Sequence, residues 1–147
     1  AVLSNPEYLK WMKDEIVNLY RAYGITKVVG IESRGFILGP AVAMDLGAGF
    51  VPVRKPGKLP AETIEVSYAK EYGVDTIQIH ADALNENDVV LLHDDLLATG
   101  GSMAAALELV KKFNVKKVYI NFIIELEFLN GRKVFGDDVE VSSLLSC

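Results

Sequence analysis

The sequence predicts an α/β domain whose sheet is covered on both faces, and three observations carry that expectation. Val89-Val90-Leu91-Leu92 is a strand too apolar for a surface position, so it belongs in a sheet buried from both sides. The same stretch continues through Asp94-Asp95 and the turn Thr99-Gly100-Gly101-Ser102 into residues 103–110, a run of good helix formers. Half of the 147 residues are hydrophobic and 24% are charged, the balance of a folded chain rather than a disordered one. One domain over residues 1–147 can bury a substantial core.

The elements follow in order from local pattern. Asn5 as N-cap, with Pro6 at the first helical position, starts a helix; Ser4 and Glu7 offer a capping box as the alternative. Leu9, Met12, Ile16, Leu19 and Tyr23 form its packing stripe, Trp11 and Tyr20 border the stripe, and Gly24 closes the helix. Residues 27–31 are a short apolar strand, followed by the turn Glu32-Ser33-Arg34-Gly35-Phe36. The next helix ends near Leu46-Gly47 and must hold Pro40 in its first turn. Residues 50–54 form a second strand, which Pro52 sends towards the sheet edge because it cannot donate a ladder hydrogen bond.

Arg54-Lys55-Pro56-Gly57-Lys58-Leu59-Pro60 then gathers three cations on a turn whose shape Pro and Gly restrict, suited to holding a diphosphate. Residues 63–68 and 76–79 alternate and residues 69–75 join them, so 61–80 read as an extended hairpin with Glu71 at its tip, a plausible lid. The mobile arm is expected at about 55–80. Residues 115–124 are another buried strand, ending in Glu125-Leu126-Glu127-Phe128; Asn130-Gly131 marks a turn, and Val139-Glu140-Val141 begins a last strand. His80 and His93 are too isolated to propose as ligands, and His93 is expected to satisfy a hydrogen bond at its strand's end.

Composition excludes several classes of function. A formal net charge of −5 argues against general nucleic-acid binding. No apolar run approaches the length of a membrane span, and the N-terminus lacks the layout of a signal peptide. Cys147 is the only cysteine, so a reducing, cytoplasmic home is expected. The chain begins with Ala1 rather than Met, so further residues are expected upstream.

The chemistry concentrates where the buried strand becomes a helix. A small-residue turn at a helix N-terminus aims backbone N–H groups at an anion, with Thr99 and Ser102 as added donors. Asp94 and Asp95 would repel that anion, so they call for vicinal ribose hydroxyls or a magnesium ion. A ribose 5-phosphate carries both features. An ordinary βα turn with a solvated acidic pair is the plainer reading of the same residues. Arg34, bracketed by small residues, is free to fork onto phosphate oxygens, although a surface salt bridge also accounts for it.

Residues 89–103 closely resemble the phosphoribosyl diphosphate (PRPP) signature of type I phosphoribosyltransferases: apolar strand, two acidic residues, then Thr-Gly-Gly. The segments Gly30-Ile31-Glu32-Ser33-Arg34-Gly35-Phe36, Arg54-Lys55-Pro56-Gly57-Lys58-Leu59-Pro60 and Ser67-Tyr68-Ala69-Lys70-Glu71-Tyr72-Gly73 resemble the family's adenine branch. The resemblance implies a three-layer fold with a mostly parallel sheet, strand order 3-2-1-4-5-6 with the third strand antiparallel, and a site at the topological switch point. The implied reaction is adenine plus PRPP giving AMP and pyrophosphate, in a cytoplasmic homodimer.

The resemblance also implies roles. Asp94 and Asp95 hold the ribose hydroxyls, and Ala98, Thr99, Gly100, Gly101 and Ser102 cradle the 5-phosphate. Ser33, Arg34, Arg54, Lys55 and Lys58 bind the diphosphate, with a cis peptide at Glu32-Ser33 presenting the Ser33 N–H. Glu71 and Arg34 are the catalytic candidates, Glu71 as acid/base for the adenine proton. Mg2+ is expected to arrive bound to PRPP, with no protein cage of its own. Family members carry an N-terminal hood over the base, which the chain shown does not include, and the region from Glu125 to Phe128 is where base selection would otherwise be sought. Two other functions fit the fold: a non-catalytic PRPP-sensing regulator, and a transferase for another base such as xanthine.

Overall fold

In chain order the computed structural model, which describes residues 3–147, runs α1 (Pro6–Tyr20), β1 (Lys27–Ile31), α2 (Gly35–Leu46), β2 (Gly49–Val53), β3 (Thr63–Lys70), β4 (Gly73–His80), β5 (Val89–Leu97), α3 (Gly101–Lys111), β6 (Lys117–Glu125), two short 3-10 turns (Glu127–Leu129 and Gly131–Val134) and β7 (Glu140–Ser146). Ala1 lies outside the described residues. A five-stranded sheet has the order β2-β1-β5-β6-β7, and every neighbouring pair is parallel. This is the α/β class that the sequence implies, with β2 at an edge as Pro52 requires.

The antiparallel third strand is reduced to a single bridge. β3 and β4 form their own two-stranded sheet, and β4 meets the end of β2 only at Arg54↔Gln78, with N···O distances of 3.0 and 2.7 Å. After Arg54 the Pro-containing turn leads the chain away, so no second pair closes.

Successive residues along the central strands supply two separate layers of core. Val28 and Leu91 pack with Met12, Ile16, Leu38 and Val42 beneath α1 and α2. Val29, Val90 and Leu92 pack with Met103, Leu109, Val66 and Ile79 beneath α3 and the hairpin. Continuous apolar runs are the result of burying both pleat faces. The hairpin is therefore anchored at its root, where Val66, Ile77 and Ile79 are core residues, while Tyr72 is 88% exposed at the tip.

Several boundaries differ from the sequence expectation for tertiary reasons. α1 stops at Tyr20 rather than at Gly24 and buries Met12, Ile16, Val17 and Tyr20. Tyr20 finds a polar partner in β7, its hydroxyl 2.6 Å from Ser142 Oγ, so it takes a core place while Leu19 and Tyr23 are exposed. Pro40 sits inside α2, beyond the first turn, because buried Gly35 and Leu38 extend the helix back towards the sheet. The hairpin strands are longer than expected, and only Glu71 and Tyr72 lie between them.

Gly30 and Gly35 allow a close backbone approach between β1, α2 and β5. A Cβ on Gly30 would lie 2.7 Å from Gly35 O and 2.8 Å from the Phe50 ring; one on Gly35 would lie 2.9 Å from His93 O. Gly30→Ala or Gly35→Ala is expected to destabilise the protein by about 1–3 kcal/mol through overpacking, read by urea unfolding. A loss below about 0.5 kcal/mol, the range of ordinary surface changes, would show that this contact can yield.

Candidate active site

The site is built where β5 outruns β1. β5 pairs with β1 only as far as Gly30↔His93 but follows β6 to Leu97↔Glu125. Asp94 and Asp95 therefore lie within the strand, not after its end as the sequence suggested, because the length of β5 is set by β6. Consecutive strand residues face opposite sides. Asp94 follows Leu92 towards α3 and the hairpin, and Asp95 follows Leu91 and His93 towards α1 and α2.

Asp95 faces Arg34, whose Nη1 is 3.5 Å from Asp95 Oδ2. An apolar pocket lined by Ile37, Ile123, Ile124 and Leu145 opens beside it. Asp94 Oδ1 accepts the Asp95 N–H at 2.8 Å. Burial pushes the Asp94 carboxyl up to about 7, and the negative charge of Asp95 adds to the rise.

Just before the pair, His93 is buried and held neutral, its pKa pulled down to about 4 by burial. His93 Nδ1 lies 3.0 Å from Asn121 Oδ1, Asn121 Nδ2 donates to Ser142 Oγ at 3.2 Å, and Ser142 Oγ meets Tyr20 Oη. His93 Nε2 has no partner among the described residues. The expected hydrogen bond thus exists, in mid-strand and on one nitrogen only. Sequence reasoning missed this line of polar groups. Its signal was Asn121, a polar residue inside an apolar strand, which must find a buried partner.

Ala98, Thr99 and Gly100 form the loop from β5 into α3, and Gly101 and Ser102, expected in that loop, are the first residues of the helix. Gly100 has φ +90°, and no side chain caps the first turn of α3. First-turn amides without intrahelical partners, at the positive end of the helix dipole, are an anion site in form.

The cations divide into two groups. Arg54 closes on Glu32 (3.2 and 3.4 Å) with its guanidinium 5.7 Å from the centre of the Phe36 ring, and Lys55 N–H donates to the same carboxylate at 3.0 Å. The Lys55 N–H chiefly holds Glu32 below the usual carboxylate range. Glu32 thereby fastens the basic turn to the turn bearing Ser33 and Arg34, and the Glu32–Ser33 peptide is cis. Lys55 and Lys58 are exposed and form no ion pair among the described residues. Glu71 stands apart at the exposed hairpin tip, joined to the acidic pair by no hydrogen bond or ion pair.

The chain matches the phosphoribosyl transferase domain over residues 1–142. It belongs to the phosphoribosyltransferase family. It is 67% identical over 146 residues to the adenine phosphoribosyltransferase of Bacteroides thetaiotaomicron, covering 99% of this chain and 83% of that one. With the Giardia lamblia adenine phosphoribosyltransferase complexed with 9-deazaadenine it shares a TM-score of 0.94 at 45% identity, over 99% of this chain and 83% of the other. With the Trypanosoma brucei enzyme in complex with AMP, pyrophosphate and ribose-5-phosphate the TM-score is 0.90 at 32% identity, over 99% and 67%.

As in other phosphoribosyltransferases, the substrate of the family chemistry is PRPP. Among the described residues no cluster of three or more His, Cys, Asp or Glu could hold a metal ion. No described helix is long and apolar enough to cross a membrane.

Asp94 and His93 titrate with opposite consequences. Raised from 3.8 to about 7, Asp94 contributes stability that is full below its unfolded pKa and is lost as pH rises through 7. Lowered from 6.5 to about 4, His93 contributes stability that is full above 6.5 and is lost as pH falls through 4. Between those limits the two slopes oppose. In Asp94→Asn, stability measured by urea unfolding should fall more steeply than in wild type as pH drops from 6.5 to 4. Identical slopes would place Asp94 at an ordinary carboxylate pKa.

Proposed function

We propose that this chain transfers the 5-phosphoribosyl group of magnesium PRPP to adenine, releasing pyrophosphate and leaving AMP, as a cytoplasmic homodimer. The observation that carries the proposal is the extension of β5 beyond β1. It sets two carboxylates between a small-residue anion loop on one side and an arginine-bearing turn on the other. Adenine as the base is supported by adenine phosphoribosyltransferase relatives at 64–67% identity.

The ribose fits this crevice by chemistry. Its vicinal hydroxyls donate to Asp94 and Asp95, and its 5-phosphate takes the amides of residues 98–102 with the Thr99 and Ser102 hydroxyls. Ser33 N–H, Arg34, Lys55 and Lys58 face the diphosphate, while Arg54 acts through Glu32 by holding the basic turn in place. Breaking the C1–O bond puts positive charge on the ribose and negative charge on the departing pyrophosphate, which fixed cations stabilise. Magnesium, brought in with PRPP, shares that leaving-group charge. A base nitrogen then bonds to C1. Glu71, carried inward by the outer half of the hairpin, takes the adenine proton, and closure excludes water from the cationic centre.

Labelled adenine should be converted to AMP in the presence of magnesium PRPP, with hypoxanthine, guanine and xanthine competing poorly. Turnover of xanthine in place of adenine would refute the base assignment. Replacing Asp94 and Asp95 by Asn should weaken PRPP and AMP alike, by roughly 1.5–3 kcal/mol for each charge-assisted bond lost, measured by calorimetry. Because ribose hydroxyls favour the ionised carboxylate, AMP binding near pH 7 should also release a proton, seen as a buffer-dependent binding enthalpy. Arg34→Ala and Lys55→Ala should depress PRPP binding and turnover while leaving AMP nearly untouched, since AMP has no diphosphate. Equal loss for both ligands would move these residues to the 5-phosphate.

A further inference from the structure

We propose that the Glu125–Arg132 ion pair is a positioning device for the loop of residues 98–102, holding the following 3-10 turns as a rigid backstop behind it. The proposal rests on the assignment of that loop to the 5-phosphate.

Glu125 ends β6 opposite Leu97 and is only 7% exposed. It is fully occupied. Arg132 Nε reaches its two oxygens at 2.9 and 2.8 Å, Nη2 donates at 2.7 Å and Ser143 Oγ at 3.0 Å. Arg132 Nη1 also donates to Val141 O at 2.6 Å, so one side chain spans β6 and β7. These bonds hold Glu125 below the ordinary carboxylate range, Arg132 contributing most. The carboxylate expected as a place to seek base selection is committed to its own fold.

Arg132 lies in the turn Gly131–Val134, and its neighbours press on the anion loop from behind. A Cβ on Gly131 would collide with the Ala98 carbonyl oxygen and lie 2.7 Å from Leu97 Cδ1. A Cβ on Gly100 would lie 2.6 Å from Val134 Cγ2 and 2.9 Å from Gly131 O. Gly100 sits at φ +90° and Gly101 has no side chain, so the loop carries little restraint of its own. Phosphate recognition needs amide vectors held to within about 0.5 Å, and here that restraint comes from outside. An ion pair between the buried Glu125 carboxylate and the partly exposed Arg132 suits the task because its multiple hydrogen bonds fix orientation, whatever its net contribution to stability.

The test compares ligands in the intact chain carrying Arg132→Lys or Gly131→Ala, by calorimetry with AMP, ribose 5-phosphate and magnesium pyrophosphate. Both variants should bind AMP and ribose 5-phosphate about tenfold more weakly and pyrophosphate within about twofold of wild type, the scale seen when a supporting shell is disturbed. An equal loss for pyrophosphate, or AMP affinity unchanged in variants that still unfold cooperatively, would overturn the proposal. If Arg132→Lys fails to fold, Gly131→Ala probes the same contact with the ion pair intact. Ser102→Ala and Thr99→Val separate the two levels of inference. If they weaken AMP binding while the backstop variants do not, only the clamp is refuted; if they too leave AMP binding unchanged, the 5-phosphate assignment falls with it.

Discussion

The site depends on one contact made without side chains, the meeting of Gly30, Gly35 and the His93 carbonyl. β1 ends at Ile31, the chain turns at once, and α2 begins at Gly35 directly against the strand it has left. A methyl group on either glycine would hold β1, α2 and β5 apart. With both absent, Arg34 at the start of α2 arrives opposite Asp95, which belongs to a different strand. Glu32, one turn away, then draws in the basic turn through Arg54 and Lys55. Cations and carboxylates that are 22 to 61 residues apart in sequence become parts of one unit through backbone proximity.

Beneath the acidic pair lies a second constraint, polar rather than steric. The line from His93 through Asn121 and Ser142 to Tyr20 crosses β5, β6 and β7 and ends on α1. Apolar packing tolerates a slip between strands better than such a line does, because each group would lose a buried partner. With His93 neutral, its Nδ1–H donates to Asn121 Oδ1, and the Asn121 amide donates onward to Ser142. The registry of the three strands is thus fixed one residue before the carboxylates that depend on it. The rise of the Asp94 pKa and the fall of that of His93 have the same origin, burial that penalises the charged form of each.

The hairpin combines anchoring and reach. Its root shares the core of α3 and is tied to the end of β2 at Arg54↔Gln78, and Tyr68 stands 3.8 Å from where a Cβ on Gly101 would lie. Only the outer half, with Glu71 and Tyr72, projects beyond these contacts. Movement of that half would carry Glu71 without disturbing the anion loop at its foot.

The sequence by itself determined whatever depends on short-range pattern. An unbroken apolar strand demanded a doubly covered sheet, Asn5 capped α1 by accepting from Glu7 and Tyr8 N–H groups, Pro52 assigned β2 to an edge, and alternation drew the hairpin. The order of strand, acidic pair, small turn and helix was equally legible, since each step is a property of a few adjacent residues. Tertiary structure alone decided where strands stop and which charges are already engaged. The acidic pair lies inside β5 because β6 continues beside it, and its members part to opposite faces for that reason. Arg54 is held by Glu32, Tyr20 is buried by Ser142, and Glu125 is matched to Arg132. Each of these depends on a partner brought close by the folding of another segment, and such a partner leaves no periodic trace in the residues around it.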